Sequence, residues 1–425
     1  MRRVIVLSLI FVLIGMRTIN ANYERHLNKN RSDTVSYTTL TAKVIDLSTK
    51  EPVVFASVFQ NSSNVGTVTN SDGEFVLKIP GKTTQGTISI NHLGYKNKEV
   101  SISSLLSGEK TILLEQYAIP IEEVVIKKID PIELIITALS KKRDNYNTLA
   151  EMQTGFYRET VKQNRNYVSV SEAVLDIYNA GYKENFDFDR IKIFKGRNSK
   201  DVKRMDTILV KFQGGPRIAM FLDLVKNPGV VLDPEMFEFY DFTLSGITKV
   251  NDRNNYVINF DQNGITEYPL YQGKIYIDVE SYAITGIDFQ ISAKSLENAA
   301  KILVKKKPST MDIDVLNGHY FVNYRQIGDL WVLNYVRSEV IFKIKWDRRL
   351  FKSTINTMFE MAITDRDTEN IEKFPYKISV KYSDFLADQV DVFDDKDFWG
   401  EYNYIKPDES IEIAIKKLNK KLKRN

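Results

Sequence analysis

The stretch from Gly66 to Pro80, GTVTNSDGEFVLKIP, constrains this chain more than any other. Val65, Thr67 and Thr69 alternate with Gly66, Val68 and Asn70, the period of a half-buried strand. Asn70-Ser71-Asp72-Gly73 interrupts the alternation. Asp72-Gly73 supplies the positive φ that a tight turn requires, and Asn70 and Ser71 can hydrogen-bond to the turn backbone. Phe75, Leu77 and Ile79 then alternate with Glu74, Val76 and Lys78, and Pro80 ends the run because proline donates no ladder hydrogen bond. The spacing predicts a β-hairpin with Asp72 and Gly73 as its structural turn. It excludes an EF-hand. With Gly73 sixth in the loop, the first and twelfth places fall on Val68 and Ile79, and neither is a carboxylate.

Short strand patterns surround this stretch near Leu40–Asp46, Ala56–Gln60, Thr87–Asn91, Lys98–Ile102 and Lys110–Leu114. Even spacing with turn signals between strands predicts a β-sandwich over residues 38–115. Val44, Asp46, Pro52, Ala56, Val58, Gly66, Thr67, Thr69, Asp72, Gly73, Phe75, Ile79, Gly94 and Tyr95 together resemble the carboxypeptidase-regulatory-like domain. That domain is a transthyretin-like sandwich, common in Bacteroidetes envelope proteins and found at the start of many TonB-dependent receptors. Lys43 stands where the domain usually has glycine. The resemblance implies an accessory, non-catalytic module.

Upstream, Arg2 and Arg3 precede an apolar run from Val4 to Ile14, and Ala21 offers a small residue for cleavage. This is the pattern of a secretory signal peptide over residues 1–21, followed by a polar leader over 22–37. The expected location is the periplasm or the inner face of the outer membrane. With no cysteine in the chain, it is not expected to be a lipoprotein, and no disulfide braces the fold. Three of the 59 basic residues, Arg2, Arg3 and Arg17, leave with the signal, so 56 remain against 55 acidic ones. Such a balance gives no reason to expect nucleic acid as a partner.

A connector over residues 116–129 carries Ile121-Glu122-Glu123-Val124-Val125-Ile126. Adjacent residues in an extended strand point to opposite faces, so Glu122 and Glu123 do not form an acid–base pair. Asp130-Pro131 then starts a helix with an N-cap and a first-turn proline, and Ile132, Ile135, Ile136 and Leu139 form its expected stripe. Beyond it, over 130–425, strand patterns dominate. Lys274–Val279 and Ala283–Phe289 make one hairpin across Glu280-Ser281-Tyr282, and Gly318–Tyr324 and Leu330–Ile341 make another. The fold class expected is mainly β: the sandwich, then a larger curved antiparallel sheet with a few helices, an α+β arrangement.

The phrase GKIYIDVESYAITGIDF resembles the half-barrel of LolA-like periplasmic carriers. That resemblance implies an apolar cradle. Its candidate lining is Ile275, Ile277 and Val279 on one hairpin and Trp331, Leu333 and Tyr335 on the other. The alternative is that helices seal the same residues into a core. Asp391, Asp394, Asp395 and Asp397 cluster before Phe398-Trp399, without the glycine turn of a calcium loop, and read as a solvated loop. Pro407-Asp408 starts a last helix whose stripe is Ile411, Ile415, Leu418 and Leu422, with lysines crowding its end. Such a helix either docks on its own domain or makes peripheral contact with a membrane.

Chemistry-bearing motifs are absent from the sequence. The three histidines, His26, His92 and His319, lie in no zinc-peptidase pattern, and no nucleophile elbow, phosphate loop or dinucleotide fingerprint occurs. No catalytic, cofactor-binding or metal-ligating residue is assigned, and no cofactor is expected. The leading expectation is a non-enzymatic envelope protein, binding or scaffolding, whose partner is another envelope protein or an apolar ligand. The alternatives are an envelope glycan or peptide hydrolase using a carboxylate pair, and a surface adhesion or carbohydrate-binding protein.

Overall fold

The structure is a computed structural model that describes residues 36–422 apart from 62, 118–128, 184–187, 202–210, 213–214, 348–350 and 391–397. The signal, nearly all of the leader, Glu122-Glu123 in the connector and the Asp391–Asp397 cluster therefore lie outside the described residues.

The sandwich is built from β1 (Tyr37–Asp46), β2 (Ser57–Gln60), β3 (Gly66–Val68), β4 (Glu74–Pro80), β5 (Thr87–Asn91), β6 (Lys98–Ser101) and β7 (Thr111–Leu114). One sheet runs β4-β1-β7 and the other β3-β2-β5-β6. Alternation on β1 sends Leu40, Ala42 and Val44 inward, where they meet Phe75, Leu77 and Ile79 of β4 and Val58, Ile88 and Ile90 of the second sheet.

Here the sequence expectation needs correcting. β3 and β4 do not pair with each other. β3 pairs with β2, and β4 pairs with β1. The turn itself exists: Gly73 has φ +75°, and the Asn70 carboxamide oxygen accepts from the Asp72 and Glu74 N–H groups at 3.0 and 2.8 Å. It carries the chain from one sheet to the other instead of closing a hairpin. Turn chemistry sets a local reversal, whereas pairing depends on which distant strand best covers each apolar face.

The second domain is one antiparallel sheet. Its strands are β8 (Glu151–Gln163), β9 (Asn166–Asn179), β10 (Arg190–Lys200), β12 (Tyr240–Val250), β13 (Arg253–Gln262), β14 (Tyr271–Asp278), β15 (Ile284–Ile291), β17 (Met311–Ile327), β18 (Leu330–Trp346) and β19 (Ser353–Asp367). Their order is β10-β9-β8-β19-β18-β17-β15-β14-β13-β12, and β11 (Lys211–Phe212) pairs with β16 (Val304–Lys306) apart from it. The β14–β15 turn is fixed by Asp278, whose Oδ1 accepts from Ser281 N–H at 2.8 Å while Arg253 clamps its carboxylate at 2.7 Å.

Each face of this sheet is covered differently. Helices Pro131–Ser140, Pro216–Phe221 and Leu296–Leu303 lie over one face, above a core that includes Ile275, Ile277, Ile287, Val322, Trp331 and Met361. Asp130 caps the first of these helices, accepting from Ile132 N–H at 2.9 Å. Its buried stripe is Leu134, Ile135 and Ala138, and Ile136 is half exposed. The sequence holds two overlapping apolar stripes, and the sheet selects the one displaced from the stripe expected. The opposite face carries the sandwich, the segment Phe398–Ile405 and the last helix, Glu409–Leu422. Ile411 and Leu418 of that helix are buried against Val170.

Candidate functional site

The sandwich-covered face is organised by charge. Cross-strand register places Arg197 on β10 opposite Glu172 on β9, Glu172 opposite Arg158 on β8, Arg158 opposite Glu360 on β19, and Glu360 opposite Arg337 on β18. The result is an alternating ladder across five strands. Arg158 is 1% exposed. It donates from Nε to Glu172 at 2.8 Å, from Nη1 to Glu360 at 2.8 Å and from Nη2 to the Ile405 carbonyl at 2.6 Å. Tyr335 donates to Glu360 at 2.7 Å, and Arg197 to Glu172 at 2.7 Å. Burial alone would push the Glu172 carboxyl up, but Arg158 and Arg197 outweigh it and hold it below the usual range.

The sandwich and the C-terminal segment close over this ladder. Phe55 stacks on Tyr335 at 5.4 Å, and the Arg337 guanidinium lies 4.8 Å from the Phe55 ring centre. Asn334 donates to Ser57 at 2.8 Å, and Asn403 exchanges two hydrogen bonds with the Lys78 backbone. A cleft of about 70 Å³ remains where three parts meet: the turn at Asn70-Ser71, the sheet at Lys162, Arg337 and Glu339, and Asp408 before the last helix. Burial would raise the Glu339 carboxyl, yet the Asn356 hydrogen bond and the Arg337 guanidinium outweigh it and hold it below the usual range.

Residues expected to line a cradle divide between the faces. Ile275, Ile277, Trp331 and Leu333 are buried in the core beneath the helices, and Val279 is half-buried. Tyr335 points the other way, against Phe55 and Glu360. Plain alternation would have put it beside Trp331 and Leu333. The register shifts between Asn323 and Tyr324, so that Tyr335 and Leu333 oppose adjacent residues, and the strand changes face at Asn334.

The helix-covered core also contains polar groups. Asp223, fully buried, accepts from Tyr182 at 2.6 Å and from Tyr324 at 2.7 Å, and burial raises its carboxyl despite both bonds. On the same face, half-buried Glu159 is pushed up to about 7 by desolvation, against hydrogen bonds from Ala387 N–H and Tyr157. Neither group was legible as special, because each owes its state to residues far away in sequence.

On the far part of the sandwich-covered face the sheet is open. A trough of about 480 Å³ runs over Asn259, Gln272, Lys274, Asp288, Gln290 and His319. His319 meets Asp288 at 2.6 Å. Among the described residues, no group of three or more histidine, cysteine, aspartate or glutamate side chains could hold a metal ion. Nor, among them, is any helix long and apolar enough to cross a membrane, which says nothing of a β-barrel.

Comparison with solved structures finds a DUF1329 family protein from Desulfovibrio piger, 10% identical over 57% of this chain and 95% of that one. Its TM-score is 0.24, and the likeness carries no argument. Comparison with curated proteins gives no match. Residues 40–126 match the family model of the CarboxypepD_reg-like domain, so the sandwich and the start of the connector are similar to that domain.

Proposed function

We propose that this chain is an exported, non-enzymatic protein of the cell envelope that acts as a binding or scaffold protein, in the periplasm or at the inner face of the outer membrane. The observation that carries the reading is the docking of a CarboxypepD_reg-like sandwich onto a sheet whose other face is filled by its own helices. A carrier of apolar ligands needs an unfilled apolar face, and Trp331, Ile275 and Ile277 are buried. The polar trough is open and suits contact with another macromolecule. A carboxylate-pair hydrolase needs a raised acid facing a second carboxylate across an open cleft. Glu159 is raised, but it lies beneath the Ala387 backbone, away from the cleft that holds Glu339 and Glu360.

Export is the part tested most directly. Fractionation of cells producing the full chain, with mass spectrometry of the N-terminus, should find envelope protein beginning at Asn22. Cytoplasmic protein retaining Met1 would overturn the reading.

A further inference from the structure

One end of the large sheet exposes apolar side chains together with cations. Phe188, before β10, is 67% exposed, and Tyr376 is 55% exposed. Ile378, Tyr382 and Phe221 are each close to half exposed. These residues come from three segments that the structure ties together. Phe221 and Tyr382 meet edge to face at 6.4 Å. Arg217 lies 4.9 Å from the Tyr382 ring centre and donates to the Asp189 carbonyl next to Phe188. Val380 N–H donates to the Ile191 carbonyl at 2.8 Å, which holds the Tyr376–Tyr382 stretch along the start of β10. Lys377 and Lys381 are exposed on that stretch, and Glu372 and Lys373 are exposed just before it. The nearby Asp384 carboxylate is turned back into its own loop, accepting from Lys381 N–H at 2.9 Å and Ser383 at 3.2 Å.

We propose that this end of the sheet is a membrane-docking surface for an anionic lipid bilayer. Apolar patches rimmed by polar groups mark interaction surfaces. Tyrosine beside lysine suits a headgroup boundary, where an amphipathic ring is half immersed and the ammonium meets lipid phosphate. The cations argue for a charged lipid surface over a neutral protein face. Ile265 and Tyr268, at the opposite end of the sheet, are also exposed, but Glu267 stands between them and is exposed too. The inference adds a membrane-facing side to the envelope reading. It depends on surface chemistry alone, so it can fail while export holds, and the reverse.

Flotation of the mature chain with phosphatidylcholine vesicles, with and without phosphatidylglycerol, tests it. Binding should require phosphatidylglycerol and decline as salt is raised. The double variant Lys377→Glu, Lys381→Glu should weaken binding by about tenfold or more. Tyr376→Asp with Ile378→Asp should abolish it, and Ile265→Asp should leave it unchanged. All these side chains are exposed, so thermal melts should confirm intact folding. Absence of flotation by the unaltered chain would overturn the proposal. So would binding that ignores both patch variants, or that falls equally with Ile265→Asp.

Discussion

Arg158 has no access to water, so its charge must be met by Glu172, Glu360 and the Ile405 carbonyl. Burying an ion pair adds little net stability, but breaking one leaves an uncompensated charge in a poorly polarisable setting. Arg158→Met should therefore cost about 3–5 kcal/mol, read from the denaturant midpoint of the mature chain. Lys96→Met removes a partner of Glu115 from a pair roughly half in water, and should cost about 1 kcal/mol or less. Equal losses in the two variants would show that burial does not set the cost of breaking the ladder. None of this ladder could be read from sequence, since its members lie on β8, β9, β10, β18 and β19 and only the register aligns them.

At the scale of elements, the sequence was informative at two hairpins where the chain turns back directly on itself. The β14–β15 and β17–β18 hairpins form around the expected turns, and Tyr282 adopts φ +61° in the first. The link from β3 to β4 shows the limit. Its residues encode a turn, and the turn is present, but the partners of both strands lie elsewhere in the chain. Gly73 remains the sensitive point, because a Cβ there would sit 2.4 Å from the Val44 carbonyl oxygen as well as at positive φ. Gly73→Val should lower stability by at least about 1–3 kcal/mol, seen as a shifted denaturant midpoint. An unchanged midpoint would mean that the backbone there differs from the one described. The face change at Asn334 was equally hidden, since a single shift of register leaves no mark on the alternation of Trp331, Leu333 and Tyr335.

At the scale of the whole molecule, both faces of the sheet bear apolar cores, one beneath helices and one beneath the sandwich. A fluorescent fatty-acid probe should therefore find no site in the folded chain, and Trp331→Ala should cost about 3–5 kcal/mol by leaving a cavity. Stoichiometric probe uptake, changed by that substitution with stability intact, would restore the carrier reading. The strand order has a further consequence, for the timing of folding. β8 opens the large domain and β19 closes its sheet, yet the two lie side by side in the middle of it. A chain emerging from a ribosome or a translocon can assemble β8–β10 early and β12–β18 later. The two portions cannot join until the last strand arrives. Before then each presents an unpaired edge, and the contact that joins them is among the longest-range in the chain. Refolding should accordingly show its slow phase in the seam between β8 and β19, and a nascent chain cut short before Ser353 should be the species most prone to aggregate.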